Sequence, residues 1–308
     1  MNINDYPRLF EPGFCEISPK AQKFEEFEGE PTPENIKKYN LQRKRFLDGL
    51  HKGFSFKKVE QERFYYQNGA YQGEGIIYRP ANRKDEKLPV VLYYHGGGWM
   101  TLCKECYEYE CAALAEQTGC AVLNVDYRCL PEYCFPVPLN DCYAALEEIV
   151  KRADDYGVDR ERVALAGDSA GGNLAIGVSM MARKSPKISI RFLGLAYPAV
   201  AASRDLYETY ELMSEYAGNE ENLKNPLVSP LFDKEPEKLP PILILIGSCD
   251  FLLDQNLRYA RLVMQQGGNV ELKLYQGMPH GFLQMTIPHG EDALALLSNR
   301  ISRYLKME

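Results

Sequence analysis

The order of apolar runs in this 308-residue chain predicts an α/β fold: a mostly parallel central sheet with helices on both faces. Three observations carry that expectation. Short apolar runs suited to strands covered on both faces recur at 89–94, 121–125, 163–166, 192–197 and 241–246. Stretches with helical spacing separate several of them, as at Leu139, Cys142, Leu146 and Ile149. Finally, Gly167-Asp168-Ser169-Ala170-Gly171-Gly172 sets a serine in a sharp turn between a strand-like and a helix-like segment.

In chain order, residues 1–60 are polar and rich in aromatics and contain no convincing strand. Pro31-Thr32-Pro33-Glu34-Asn35 opens a helix with Ile36, Tyr39, Phe46 and Leu50 as inward residues. Residues 63–66 and 75–78 read as an opening hairpin or meander. Pro136 and Pro138 start the helix that carries Leu139. After the serine turn, Leu253, Leu257, Ala260 and Met264 mark an amphipathic helix ended by Gly267-Gly268. Residues 270–275 alternate as a half-exposed edge strand, and Leu294, Leu297, Ile301 and Leu305 belong to a last helix. Residues 199–240 break the rhythm, with a helix-like stretch from Leu206 to Tyr216 and then a polar loop. So long an excursion is expected to be functional, lying above the carboxyl ends of the strands.

Composition limits the function classes. With 36 basic against 43 acidic residues the net charge is −7, which argues against a nucleic-acid-binding surface. The longest apolar run, 242–246, is far too short to cross a bilayer, so no stable membrane insertion is expected. The first residues show neither a basic nor an apolar leader region. Nine cysteines are therefore read as reduced thiols of a cytoplasmic protein, and Cys103-Lys104-Glu105-Cys106 lacks the second pair that a zinc site would need.

A serine hydroxyl needs a neighbouring base, and the base an orienting group. Four histidines are available. His51 precedes every strand, and His95 stands before three glycines, where it shapes a loop. His280 follows the last strand and is favoured as base over His289, which opens the final helix as a cap. Asp250, directly after strand 242–246, is favoured as the orienting acid over Asp254 one turn later. A tetrahedral oxyanion also needs donors. Gly97 and Gly98, in His95-Gly96-Gly97-Gly98-Trp99, expose backbone N–H groups that could join the N–H of Ala170. The glycines lack the spacing of a phosphate-binding loop. Trp99, Phe10 and Phe14 are read either as pocket walls or as packing residues.

Taken together, these motifs resemble the hormone-sensitive-lipase-like branch of the α/β-hydrolases, also called bacterial family IV. His95-Gly96-Gly97-Gly98 and the Ser169 hexapeptide match that family's motifs. Asp126-Tyr127-Arg128-Cys129-Leu130-Pro131-Glu132 resembles its Asp-Tyr-Arg-Leu-Ala-Pro-Glu segment. Asp250-Phe251-Leu252-Leu253-Asp254 stands where the family has Asp-Pro-Leu-Arg-Asp, and His280-Gly281-Phe282 matches its His-Gly-Phe. The likeness runs from about residue 75 to the end; Phe251 and Leu253 are its departures.

The resemblance implies an α/β-hydrolase fold with about eight strands and a helical cap. Residues 1–60 and 199–240 would form the cap, and 61–198 and 241–308 the core. It further implies Ser169 as nucleophile, His280 as base and Asp250 as its partner, with Gly97, Gly98 and Ala170 as the oxyanion hole and no metal or cofactor. Asp126, Arg128 and Glu132 would buttress the site, and Asp168 would anchor a loop. The expected activity is hydrolysis of short acyl (acetyl-like) esters through an acyl-serine. Two alternatives stand beside it: hydrolysis of aryl amides, formamides or carbamates by the same triad, and a non-catalytic small-molecule receptor. The expected partner is a small-molecule ester, and edge strand 270–275 could pair two copies across a two-fold axis.

Overall fold

The computed structural model describes residues 27–54, 56–83, 86–202 and 209–306. Strand β1 (Val59–Asn68) turns at Gly69 into β2 (Tyr71–Pro80), and the two pair antiparallel over their whole length. Then come β3 (Leu88–Tyr94), α2 (Glu108–Thr118), β4 (Ala121–Val125), α3 (Val137–Lys151), β5 (Val158–Asp168), α4 (Ala170–Ala182) and β6 (Ile190–Ala196). The chain continues with α5 (Thr209–Ala217), β7 (Ile242–Gly247), α6 (Leu253–Gln265), β8 (Val270–Tyr275) and α7 (Pro288–Leu305). Helix α1 (Pro33–Leu50) precedes them all.

The strands form one eight-stranded sheet in the order β1-β2-β4-β3-β5-β6-β7-β8. Pairing is parallel from β4 to β8 and antiparallel at the β1–β2–β4 edge. This is the α/β-hydrolase architecture that the sequence predicts. The inner strands are buried on both faces, which explains why β3, β4 and β7 read as unbroken apolar runs. Helices α2, α3, α4 and α7 cover the sheet. The strand order reverses direction at β3, and the loops at the carboxyl ends of β3 and β5 lie side by side. No helix of the described residues is long and apolar enough to cross a membrane.

Several expectations need correction. In α1 the buried residues are Ile36, Arg43 and Leu47, whereas Phe46 is exposed. Arg43 takes the inward position because it reaches Gln284 Oε1 at 3.4 Å, and its guanidinium lies 5.7 Å from the Phe46 ring. Likewise Met264 faces solvent, and Leu262 and Val263 fill the inner side of α6. Helix α2 was not foreseen: Glu110 to Ala115 are all buried, so no polar face alternates with an apolar one. The described helix in the 199–240 excursion begins at Thr209; its expected first residues, 206–208, and also Phe10 and Phe14 lie outside the described residues. Among the described residues seven cysteines are free thiols, Cys103 and Cys106 included, but Cys249 is disulfide-bonded, contrary to the reduced-thiol reading.

Candidate active site

Strand β5 ends at Asp168 and helix α4 begins at Ala170, so Ser169 alone makes the turn between them. It adopts φ +52° and ψ −118°, a conformation that side-chain-bearing residues rarely occupy. The backbone clamps it there. Its N–H donates to Ala196 O at 2.9 Å, and its carbonyl accepts from Asn173 N and Ala199 N, both at 3.1 Å. Glycine at 171 is a steric requirement, because a Cβ would come within 1.9 Å of Tyr94 O and 2.5 Å of His95 O. That close approach also brings the turn against the loop after β3.

This loop carries His95 to Trp99. Gly97 has φ +110°, and a Cβ there would meet Thr101 O at 2.0 Å. Its carbonyl points into the loop and accepts from Thr101 N (2.8 Å), Met100 N (3.1 Å) and Thr101 Oγ1 (2.9 Å). His95 is buried, stacks on Tyr127 at 4.3 Å and donates from Nδ1 to Gly96 O at 2.8 Å. Burial pulls its pKa down from the ordinary imidazole value. Tyr127 in turn donates to His95 O at 2.6 Å.

Asp168 ties loop and turn together. Its carboxylate accepts from Gly96 N (3.0 Å), Tyr93 Oη (3.1 Å) and Tyr107 Oη (2.9 Å). Burial pushes its pKa up to about 6, against the pull of the Tyr107 and Tyr93 hydrogen bonds. Close by, burial pushes the Glu110 carboxyl up to about 8, and the charge of Asp168 adds to the effect.

On the other side of the site, His280 and Asp250 come from the loops after β8 and β7. His280 Nε2 lies 2.9 Å from Ser169 Oγ, and Nδ1 lies 2.9 Å and 3.0 Å from the two Asp250 carboxylate oxygens. Because a carboxylate only accepts, Nδ1 carries the proton and Nε2 is left to receive one from the serine. Asp250 also accepts from Leu252 N at 2.8 Å, which fixes the turn that presents it. Asp254 points elsewhere, 2.7 Å from Arg258 Nη2 in α6, and His289 sits in the first turn of α7. The structure thus brings Ser169, Asp250 and His280 into one hydrogen-bonded chain. Gly97 and Gly98 lie on the adjoining loop, and Ala170 is the first residue of α4, where helix N–H groups are free.

The supporting charges are distributed as follows. Arg128 grips the buried Asp141 with Nε and Nη2, each at 2.8 Å, and Asp126 lies 2.9 Å from Lys104 Nζ. Glu132 is exposed and does not buttress the site. Three residues that the sequence did not single out, Tyr197, Leu212 and Tyr216, pack around the site together with Trp99. Tyr197 is buried with its ring 4.7 Å from the imidazole of His280. Leu212 of α5 packs on Gly98, its Cδ2 2.3 Å from where a Cβ would stand. Trp99 stacks face to face with Tyr216 of the same helix at 4.3 Å. Only Trp99 carried a signal in the sequence, through its motif; the others depend on tertiary packing. Among the described residues, no group of three His, Cys, Asp or Glu side chains is arranged to hold a metal ion.

Comparison with known proteins agrees with this geometry. A family model described as alpha/beta hydrolase fold matches residues 91–284. An ethyl acetate hydrolase of Pseudomonas putida is 30% identical over 74% of this chain and 78% of its own length. An arylesterase of Saccharolobus solfataricus is 31% identical over 67% and 72%. Among solved structures, a thermostable carboxylesterase cloned from a metagenomic library superposes with a TM-score of 0.80 at 31% identity, covering 90% of this chain and 98% of that one.

Proposed function

From the premise that this chain belongs to the α/β-hydrolase fold family, in its hormone-sensitive-lipase-like branch, we propose that it hydrolyses short-chain carboxylic esters through an acyl-serine. Several of its relatives are named esterases or carboxylesterases, and the residue roles and the acyl length extend that class to this chain. The observation that carries it is the unbroken chain Ser169 Oγ, His280 Nε2, His280 Nδ1, Asp250, with every link at 2.9–3.0 Å.

In this reading His280 takes the Ser169 proton as the hydroxyl attacks the acyl carbon. Gly97, Gly98 and Ala170 donate their N–H groups to the oxyanion, and His280 returns the proton to the departing alcohol. Water then repeats the attack on the acyl-serine. Asp250 holds the imidazole in the Nδ1–H form and balances the imidazolium. Residues 1–60 and 199–240 act as the cap. In support, α1 docks through Asn40, which exchanges hydrogen bonds with Leu102 at 2.7 and 3.1 Å, and α5 lies on Gly98 and Trp99. The contact of Leu212 with Gly98 leaves little depth beside the oxyanion loop, which favours a small acyl group.

Replacing Ser169 by Ala is expected to reduce turnover of a chromogenic acetyl ester by about four to six orders of magnitude without unfolding the chain. Full activity in that variant would refute the assignment. Leu212→Ala is expected to move the optimum of an acetyl-to-octanoyl series toward longer chains; an unchanged profile would remove α5 as the limit on acyl length. Pairing of two copies through β8, where Leu274 is exposed at the sheet edge, is tested by sedimentation.

A further inference from the structure

We infer that Phe251 is a specificity-determining residue that recognises the alcohol moiety of the ester and favours flat, unsaturated alcohols. The inference rests on the triad reading above and adds a residue and a substrate class to it. The Phe251 ring lies 4.5 Å from the imidazole of His280, with an interplanar angle of 38°. It is 44% exposed, and among the exposed large apolar side chains of the described residues it is the one in ring contact with the triad. Exposure alone means little, since single apolar side chains are common on surfaces. The position relative to the proton's path gives it meaning.

When the tetrahedral intermediate collapses, the bond between the acyl carbon and the alcohol oxygen breaks, and Nε2–H of His280 delivers its proton to that oxygen. The alcohol oxygen therefore lies within hydrogen-bond reach of Nε2, and the group attached to it runs out past the imidazole. The acyl group, in contrast, stays on Ser169 beside the oxyanion loop. An exposed ring against the imidazole thus meets the alcohol side. Nor is Phe251 a loose loop tip. It stands between Asp250, whose carboxylate accepts from Leu252 N at 2.8 Å, and Leu252, which is buried. The turn that aims the acid also aims the ring. An aromatic face next to a flat alcohol adds edge or stacking attraction beyond simple burial, which corresponds to about 2- to 10-fold in rate.

The test compares benzyl acetate with cyclohexylmethyl acetate, which share the acyl group and have leaving alcohols of similar size; each rate is divided by that ester's alkaline hydrolysis rate, because benzyl alcohol is the more acidic. Both esters give the same acetyl-enzyme, so their deacylation is common and any difference lies in acylation. The native protein is expected to show a kcat/KM ratio of about 2- to 10-fold in favour of the benzyl ester. Phe251→Leu, which keeps an apolar side chain but loses the ring face, is expected to bring the ratio near one. A ratio that stays at the native value in Phe251→Leu, or a native ratio already near one, would overturn the inference while leaving the triad untouched. The triad fails by a different result: undiminished turnover in Ser169→Ala. The ratio is read within each variant, so a general loss of activity through the Asp250 turn cancels.

Discussion

Ser169 and His280 are 2.9 Å apart, yet the chain holds the two halves of the site by different means. The serine half is fixed by backbone sterics and buried polar groups. Gly171 admits no Cβ, Ser169 is held at positive φ by three main-chain hydrogen bonds, and Asp168 beneath it is 3% exposed with three donors. The acid–base half rests on two loops that bury Asp250 but leave the imidazole partly open. The His280 side chain is 23% exposed and bordered by the open ring of Phe251. In the proposed mechanism a nucleophile at strained φ must be over-determined by its surroundings, whereas an imidazole must accept, turn slightly and donate during each cycle. The contrast assigns invariance to one half and adjustability to the other.

That contrast breaks most sharply at the acid. Asp250→Asn would favour the wrong imidazole tautomer, and an approximately 10⁴-fold fall in kcat is expected; Asp254→Asn, which touches Arg258, should cost less than about tenfold. Parallel losses in the two variants would show that the acid had been misassigned. On the serine half, Asp168→Asn removes the charge that Gly96, Tyr93 and Tyr107 share. The expected loss is about 10- to 100-fold in kcat with KM little changed, since hydrogen bonds to charged groups are worth about 1.5–3 kcal/mol. A change confined to KM would instead make Asp168 part of the substrate-binding surface. Tyr107→Phe removes one of those donors and should cost about fivefold, through about 1 kcal/mol.

The smallest effect concerns stability. The Glu110 carboxyl titrates near pH 8 in the folded chain and near its ordinary 4.5 when unfolded. The folded state therefore keeps a proton that the unfolded state loses, and stability falls as pH rises from about 4.5 to about 8. Asp168, raised to about 6 from its ordinary 3.8, has the same sign at lower pH. Glu110→Gln is expected to remove the decline of melting temperature between pH 6 and 8 and to lessen it between 4.5 and 6, where Asp168 still contributes. An unaltered slope from pH 6 to 8 would mean that Glu110 is ionised throughout. Arg43, Cys106 and Asp168 are the charged or titratable groups that act on it, and none of them changes in this variant.

How much was legible in the sequence follows the same division. The strand runs, the serine turn and the glycine loop are local patterns, because backbone geometry there dictates residue type directly. His280 and Asp250 were legible through chemistry and chain order. What escaped depends on how distant segments face each other. Arg43 turns inward because Gln284 receives it, 241 residues away in sequence. Helix α2 is hidden because its six central residues are all buried, and only Glu108, Glu116 and Gln117 near its ends are exposed. The ring of Phe251 gains its meaning from a histidine on another loop. Cys249 was misjudged because pairing depends on where two sulfurs meet, which cysteine counting does not contain.

Asn173, in the first turns of α4, donates its side-chain amide to both Ala199 O at 2.8 Å and Val228 O at 2.9 Å. Departure and return of the intervening chain are thereby tied together directly behind the elbow, and Leu231 N on Val200 O (2.9 Å) and Ala202 N on Ser229 Oγ (3.0 Å) add to the clasp. The chain between these ties can change in length while they stay in register, at the loss of the Trp99–Tyr216 stack, because closing a longer loop adds little entropic cost. The segment proposed as cap is thus anchored independently of its length, and exchanging such segments on a constant base is a direct route to new substrate ranges.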